Sequence, residues 1–196
     1  MSDDNLTISI ADNIGILTIN RPKALNALDS GTLQRLSSKV TELESNDDVH
    51  VIVITGAGDR AFVAGGDIAD LNSRQGLQHY LEFADLIHAV FRQIEVCKKP
   101  TISAINGWAL GGGAELILAT DIRIAVEDAV LGLPEITLGL FPGAGGSQRL
   151  LRQVAPCQAK ELMFTGDRIS AREAQRIGLI NRVVSREELM PEVMKT

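Results

Sequence analysis

Cysteines, metal-ligand patterns and basic clusters are all scarce in this sequence, and each scarcity excludes a class of protein. Only two cysteines occur, Cys97 and Cys157, and their separation supports neither a disulfide framework nor a site of paired metal ligands. We therefore expect a reducing, cytoplasmic setting. The three histidines are also scattered without ligand spacing, so no metal site is predicted.

Positive charge and long apolar runs are equally limited. The 19 Lys and Arg residues face 25 Asp and Glu, which gives a net charge of -6 and predicts no nucleic-acid partner. No run reaches the roughly 18 apolar residues that span a bilayer, and "MSDDNLTISI" lacks the basic region of a signal peptide, so no membrane association is expected. With 196 residues, 45% of them hydrophobic, the chain suffices for one substantial core.

Hydrophobic periodicity predicts strands and helices in alternation. Alternating apolar residues from Leu6 predict a β-hairpin with the segment 14–20. Asp29 or Ser30 is expected to cap the following helix, whose apolar positions recur every three or four residues at Leu33, Leu36, Val40 and Leu43. The β-branched run from Val49 predicts a strand covered on both faces, as in a parallel sheet. Further patterns along the chain predict a helix over 77–97, a strand at 101–106, a buried helix over 114–120, a strand at 121–126 and a helix over 171–177. This order predicts one α/β domain over residues 1–196, with its sites in loops after the strands.

Three consecutive glycines precede an apolar, helical segment in "LGGGAEL". The peptide N–H of Gly112, assisted by the helix dipole, is a candidate donor to a ligand oxyanion, because no side chain blocks the approach. A tight turn with close helix packing explains the glycines equally well. Glu115, in the first helical turn, is a candidate acid or base, although a carboxylate is favourable there without any catalytic role.

A second glycine pair follows a buried strand in "AFVAGGDI". An oxyanion site needs two converging donors, and adjacent parallel strands would bring Gly66 and Gly112 to one place. The alternative is ordinary loop geometry, with Asp67 capping the next turn. A dinucleotide-binding fingerprint is disfavoured, because neither glycine loop has the required spacing.

Glu135 is the lone carboxylate in the apolar stretch "VLGLPEITLGLFPGAGG". If this side chain is buried without a cation, its acid form is favoured, and it could donate a proton near neutral pH. The alternative is an exposed glutamate in a first helical turn after Pro134. Together, Glu115 and Glu135 indicate paired acid–base chemistry.

The ordered set of these motifs resembles the crotonase superfamily, also called the enoyl-CoA hydratase/isomerase family. The similarity extends over "ILTINRPKALNAL", "AFVAGGDI", "PTISAINGWALGGGAEL", "DIRIA", "LGLPEITLGLFPGAGGSQRL" and "ISAREAQRIGLINRVV". The resemblance implies a spiral α/β fold of repeated β-β-α units with flanking helices. It also implies a homotrimer or a dimer of trimers. Family chains continue into further C-terminal helices, which we expect this domain, ending at Thr196, to lack.

The same resemblance assigns residues to roles. Gly66 and Gly112 would form the oxyanion hole for an acyl-CoA thioester, and Glu115 and Glu135 match the two catalytic glutamates of hydratases. The substrate-binding positions implied by the family are Lys23, Ala24, Ala64, Gly66, Asp67, Ile68 and Gly112. Candidate walls of the acyl pocket are Leu71, Trp108, Ile136 and Phe141.

The predicted function is reversible hydration of a trans-2-enoyl-CoA to a 3-hydroxyacyl-CoA. The substrate carries coenzyme A, and no other cofactor is expected. Two alternatives remain open at this point: double-bond isomerisation with Glu135 as the proton shuttle, and a non-catalytic acyl-CoA-binding or assembly protein.

Overall fold

The computed structural model describes residues 5–73 and 76–196. Residues 1–4, 74 and 75 of the predicted domain lie outside the described residues. In chain order the described strands are β1 (Leu6–Ala11), β2 (Ile14–Ile19), β3 (Val51–Gly56), β4 (Ala61–Val63), β5 (Thr101–Ile105), β6 (Trp108–Leu110), β7 (Ile122–Val126), β8 (Val130–Gly132), β9 (Arg168–Ser170) and β10 (Arg182–Val184). The described α-helices are α1 (Ser30–Ser45), α2 (Ile68–Ser73), α3 (Leu77–Glu95), α4 (Gly112–Ile117), α5 (Gly146–Gln153), α6 (Pro156–Thr165), α7 (Ala171–Arg176) and α8 (Leu189–Lys195), with 3-10 helices at Pro22–Ala24 and Pro134–Leu138.

The described strands form two sheets. The larger sheet has the order β1-β2-β3-β5-β7-β10, and the smaller has the order β4-β6-β8-β9. β1 and β2 form the predicted antiparallel hairpin, whereas β2, β3, β5, β7 and β10 pair in parallel. Burial on both faces of β5, the third strand of this parallel run, agrees with the prediction of a covered parallel sheet.

A β-β-α unit repeats along the chain, which confirms the expected spiral architecture. The first unit is the β1–β2 hairpin followed by α1. In each of the next three units, the first strand (β3, β5 or β7) belongs to the larger sheet and the second (β4, β6 or β8) to the smaller one. Corresponding loops of successive units therefore emerge side by side at the same edge of the smaller sheet.

Local sequence explains most element boundaries. The hairpin turns at Asp12 and Asn13, which both have positive φ, a conformation that these two residue types tolerate. Asp29 is the N-cap of α1 and accepts a hydrogen bond from the Thr32 N–H at 2.6 Å, as one of the two expected alternatives. The buried face of α1 contains the predicted apolar positions and packs against α3.

Several predicted boundaries shift by one to three residues in the structure, and those of β3 and α4 show the cause. β3 begins at Val51 and not at Val49, because the Val49 N–H donates to the Asn46 carbonyl within a turn. α4 occupies Gly112–Ile117 and not 114–120, because it begins within the glycine run and ends in a tight turn where the Thr120 N–H donates to the Ile117 carbonyl. The start at Gly112 places a helix at the glycine loop itself.

Side chains from both sheets and from the helices between them form a continuous apolar core in the described part of the chain. Among residues 5–73 and 76–196, no helix combines the length and the apolar composition needed to cross a membrane.

Candidate active site

The carboxyl ends of three adjacent parallel strands carry the predicted site residues. Gly66 follows β4, Gly112 follows β6, and Glu135 follows β8, and these strands are neighbours in the smaller sheet. Loops at the carboxyl ends of neighbouring parallel strands converge at one edge of a sheet. Residues far apart in the sequence thus meet in one place.

The peptide N–H of Gly66 points away from the backbone hydrogen bonds that its two neighbours make with Leu28. The Leu28 N–H donates to the Gly65 carbonyl, and the Asp67 N–H donates to the Leu28 carbonyl, both at 2.9 Å, so these bonds use the residues on either side of Gly66. In a parallel bridge of this kind, the N–H and C=O of the middle residue point to the opposite side. No described acceptor binds the Gly66 N–H.

Gly112 lies directly beside this free donor. A Cβ placed on Gly112 would be 3.5 Å from the Gly66 nitrogen and 3.6 Å from the Gly65 carbonyl carbon. As the first residue of α4, Gly112 has an N–H without an intrahelical acceptor. The two candidate donors are therefore adjacent, with no side chain between them.

The three consecutive glycines serve three different structural needs. Gly111 has φ +52, which an L side chain rarely adopts. At Gly112 a side chain would lie against the Gly66 nitrogen, and at Gly113 a Cβ would overlap the Val63 carbonyl oxygen of β4. Tight packing thus accounts for Gly113, whereas Gly112 leaves open space at the two donors.

Glu115 is held by the loop that precedes α5. Its side chain is 3% exposed, and its Oε1 accepts hydrogen bonds from the N–H groups of Ala144 and Gly146, both at 2.8 Å. No described group donates to Oε2, so one carboxylate oxygen is anchored and the other is available to bind water. Burial raises the pKa of Glu115 to about 7, helped by repulsion from Glu135 and opposed by the two N–H donors.

Glu135 lies in the 3-10 helix Pro134–Leu138 and points inward. Both carboxylate oxygens are buried, with no hydrogen-bond partner among the described residues. Its Oε1 is 3.4 Å from the position that a Cβ of Gly111 would occupy, which places the acid beside the glycine loop. Burial raises the pKa of Glu135 above its ordinary value. The side chain therefore fits the interpretation as a buried acid and not the exposed first-turn alternative.

Asp67 has partners of its own in this structure. Its carboxylate accepts from the Arg21 Nη2 at 2.8 Å and from the backbone N–H groups of Ala69 at 2.9 Å and Asp70 at 3.3 Å. Partial burial alone would raise the pKa of Asp67, but the Arg21 and backbone hydrogen bonds lower it. The capping alternative is thus present, and this carboxylate fastens the loop of Gly66 to Arg21.

The remaining predicted binding residues lie on two loops, the one that contains Gly66 and the one around the 3-10 helix Pro22–Ala24. Lys23 is exposed and Ala24 is half-buried in the 3-10 helix Pro22–Ala24, while Ile68 is 59% exposed at the start of α2. The Ala64 N–H donates to the Leu25 carbonyl at 3.1 Å, which joins the first of these loops to the second. Their contacts with a ligand stay predictions.

Of the candidate pocket walls, Leu71 lies at the donor site, whereas Trp108 lies away from it. Leu71 Cδ1 would lie 3.5 Å from a Cβ on Gly66, so this side chain borders the donor site. Trp108 lies at the other end of β6 from Gly111, with the Arg168 guanidinium 5.9 Å from its ring centre. Two cavities of about 300 and 350 Å³ are lined by none of the predicted catalytic residues.

Sequence reasoning missed the residues that hold the site in place. Arg21 directly follows the predicted hairpin and the sequence predicts no role for it, yet its guanidinium binds Asp67 and Asp29. Asn26, fully buried with φ +58, donates to the Ala57 and Ala61 carbonyls and so supports the start of β4. The available signal was an amide side chain between the apolar residues Leu25 and Ala27.

These features define an α/β protein in which two free peptide donors adjoin two buried carboxyl groups, an arrangement suited to acid–base chemistry on a carbonyl compound. Comparison with known proteins identifies the family more closely. The model of the enoyl-CoA hydratase/isomerase family matches residues 9–196. The chain therefore belongs to the enoyl-CoA hydratase/isomerase family.

Individual relatives agree with this assignment. A crotonyl-CoA hydratase of Syntrophomonas wolfei is 48% identical over 195 residues, which cover 100% of this chain and 75% of the relative. A short-chain-enoyl-CoA hydratase of Clostridium acetobutylicum is 45% identical over 190 residues, covering 97% of this chain and 72% of the relative. The crystal structure of an enoyl-CoA hydratase from Bacillus anthracis superimposes with a TM-score of 0.94 at 38% identity, covering 98% of this chain and 74% of that one.

Proposed function

We propose that this chain is an enoyl-CoA hydratase that adds water reversibly to a trans-2-enoyl-CoA and forms a 3-hydroxyacyl-CoA. The observation that carries the proposal is the adjacency of the free Gly66 and Gly112 donors to Glu115 and Glu135, two acids of raised pKa. Relatives at 45–48% identity are a short-chain-enoyl-CoA hydratase and a crotonyl-CoA hydratase, which supports the same reaction.

The oxyanion step uses the two peptide donors. As water adds to the β-carbon, the thioester oxygen gains negative charge in an enolate-like transition state. Donors fixed in place by the fold stabilise that charge more than they stabilise the starting carbonyl, and this difference accelerates the reaction. The N–H groups of Gly66 and Gly112 supply this stabilisation without reorganisation.

Glu115 acts as the general base in this proposal. Its Oε1 is fixed by the Ala144 and Gly146 N–H groups, so Oε2 is left to accept a proton from the attacking water. A pKa of about 7 suits this role, because the carboxylate is ionised in a substantial fraction of molecules at neutral pH and is still basic enough to take a proton.

Glu135 acts as the general acid. Burial favours its protonated form, and no described cation pairs with it to keep it ionised. It would deliver its proton to the α-carbon of the enolate, which completes the addition of water. In the reverse direction the two glutamates exchange these roles.

The substrate is assigned to two loops at the site. We place its CoA end against Lys23 and Ala24 on one loop, and assign Ala64, Asp67 and Ile68 to the substrate-binding loop that carries Gly66. The exposed Lys23 ammonium suits phosphate groups, while the backbone bonds of Asp67 hold its loop in shape. Addition of water changes no overall oxidation state, so the proposal needs no redox cofactor. The two peptide donors stabilise the developing negative charge, so the proposed scheme includes no metal.

Loss of the conjugated absorbance of crotonyl-CoA tests the reaction in wild type, Glu115→Gln and Glu135→Gln. Each substitution is expected to lower kcat by a factor of about 10² or more, because each removes a proton-transfer group. Glu187→Gln, an exposed glutamate outside the site, is the matched control and should keep wild-type activity.

Three outcomes would contradict the proposal in different ways. Unchanged hydration in both glutamate variants would remove their assigned roles. Migration of the double bond in wild type without hydration, lost only in Glu135→Gln, would indicate an isomerase. Binding of several CoA esters without conversion of any would indicate a binding or assembly protein.

We also propose a homotrimer, alone or as a dimer of trimers, in the cytoplasm. Exposed apolar side chains that a subunit contact could cover support the assembly, among them Leu138, Leu140 and Phe141, which are 54–71% exposed. Sedimentation equilibrium of the purified chain measures the assembly, and a monomeric mass would contradict it.

The free thiols of Cys97 and Cys157 support the cytoplasmic part of this proposal, because a reducing compartment keeps cysteines unpaired.

A further inference from the structure

Arg149, in α5, reaches back over the loop that holds Glu115. Its Nη1 donates to the Ala144 carbonyl at 3.0 Å. The guanidinium occupies the space that a side chain on Gly145 would need, and Gly145 itself has φ +100. The side chain of Arg149 is only 11% exposed, so its position is determined by these contacts.

The segment 144–146, which Arg149 contacts, also binds Glu115. The Ala144 and Gly146 N–H groups both donate to Glu115 Oε1, while Arg149 holds the carbonyl of Ala144. Both side chains therefore bind the segment 144–146, and a change in the orientation of Arg149 would move the donors to Glu115.

Glu95, the last residue of α3, holds Arg149 in turn. Its Oε2 is 3.0 Å from Arg149 Nη2 and 3.1 Å from Arg92 Nη1. Burial alone would raise the pKa of Glu95, but the hydrogen bonds from Arg149 and Arg92 lower it, so Glu95 is ionised at neutral pH. An ionised carboxylate fixes the guanidinium by a charge-assisted hydrogen bond.

Charge supplies a second connection between Arg149 and Glu115. Among the described residues, two ionisable side chains act on the Glu115 carboxyl group: Glu135, which raises the pKa of Glu115 when it is ionised, and Arg149, whose positive charge lowers it. Arg149 thus opposes burial and Glu135, and favours the ionised form that a general base requires.

We propose that Arg149 is a positioning residue for the hydration reaction, which holds the segment 144–146 so that both N–H groups meet Glu115, while Glu95 orients Arg149. This inference rests on the proposed function. Arg149 touches neither the substrate nor the reacting atoms in this scheme, and acts only through Glu115.

The test compares Arg149→Met, Arg149→Lys and Glu95→Gln with wild type and with Arg152→Met. Arg152 is an exposed arginine of the same helix and serves as the matched control. The titration of Glu115 is followed by ¹³C NMR of labelled glutamate carboxyl groups, with the signal assigned by its absence in Glu115→Gln. Steady-state hydration of crotonyl-CoA is measured over pH 5–9 in the same set.

Arg149→Met is expected to move the Glu115 midpoint to higher pH, and to move the acid limb of the kcat profile in the same direction. At pH 7, kcat should fall about tenfold or more, because a misplaced catalytic group is costly, whereas KM should change little. Arg149→Lys should give a smaller shift than Arg149→Met, since lysine keeps the charge without the fork of donors. Glu95→Gln should give a smaller shift, and Arg152→Met none.

An unchanged Glu115 midpoint and kcat in folded Arg149→Met and Glu95→Gln would overturn the inference. If Arg149→Met does not fold, Arg149→Lys and Glu95→Gln still decide it, because they preserve size and shape. If wild type hydrates no enoyl-CoA, the proposed function fails, whereas the NMR titration still shows whether Arg149 controls Glu115.

Discussion

At the scale of single residues, the site is defined by polar atoms with no local partner. The Gly66 and Gly112 N–H groups and both carboxylate oxygens of Glu135 lack hydrogen-bond partners among the described residues. Buried polar groups without partners cost free energy, so natural proteins seldom retain them without a functional reason. In the proposed mechanism a thioester oxygen would accept from the two N–H groups, and protonation of Glu135 would remove the charge that makes its burial costly.

Gly112→Ala is expected to reduce activity while leaving the fold intact. A Cβ at this position meets its nearest neighbours at 3.5–3.8 Å, which is ordinary contact, but it lies against the Gly66 nitrogen, where the oxyanion would bind in the proposed mechanism. Blocking access to the donors should lower kcat by a factor of about 10²–10³ in the crotonyl-CoA assay.

Gly31→Ala, in the first turn of α1 and outside the site, is the matched control for this substitution. Its Cβ would meet its nearest neighbours at 3.5 Å, so activity should equal that of wild type. Equal activity in Gly112→Ala and wild type, with both folded by circular dichroism, would show that the oxyanion does not bind at Gly112.

At the scale of elements, α4 is fastened closely to its surroundings. The helix follows β6 and packs on β4 through Gly113. Because Gly112 and Glu115 both belong to this helix, their positions are fixed together. With only six residues, α4 contributes little helix dipole. The donors therefore depend on their placement and not on the dipole that the sequence suggested as an aid.

Gly113→Ala is expected to destabilise the protein strongly. The added methyl group would overlap the Val63 carbonyl oxygen, and a backbone atom cannot move away cheaply. We expect a loss of about 3 kcal/mol or more in the free energy of unfolding, measured by urea denaturation.

Gly31→Ala, in the first turn of α1, provides the comparison. Its Cβ would meet neighbours only at 3.5 Å, so stability should be unchanged or slightly raised. If Gly113→Ala were as stable as Gly31→Ala, the close approach of α4 to β4 would be wrong.

At the scale of the whole molecule, the stability and the chemistry of the site oppose one another. The folded state holds a proton on Glu115 more tightly than the unfolded chain does, because its pKa rises from 4.5 to about 7. This contribution to stability is fully present below pH 4.5 and is lost as the pH rises to about 7. The buried Glu135, whose pKa is also raised, contributes in the same direction.

Glu115→Gln is therefore expected to change the pH dependence of unfolding. Glutamine keeps an oxygen that can accept the Ala144 and Gly146 N–H groups but cannot ionise. Relative to wild type, the variant should gain up to about 3 kcal/mol between pH 4.5 and pH 8, measured by urea denaturation at a series of pH values. A difference in stability that does not change with pH would contradict the raised pKa of Glu115.

Much of the fold could be predicted because its signals are local. The alternation from Leu6 predicted the hairpin, the spacing of Leu33 and Leu36 predicted the buried face of α1, and the β-branched run at 51–55 predicted a covered parallel strand. The errors were in boundaries such as those of β3 and α4, where single hydrogen bonds in turns decide the last residues.

The sequence by itself determined the order of strands and helices, the glycine loops and the two glutamates, because periodicity and residue type act over a few neighbouring residues. Only the tertiary structure decided that Gly66 lies beside Gly112, that Glu135 points inward, and that Arg149 supports the loop at Glu115. The physical reason is that the order of strands in the smaller sheet brings distant loops together, and burial in that common place then sets the pKa values of the acids.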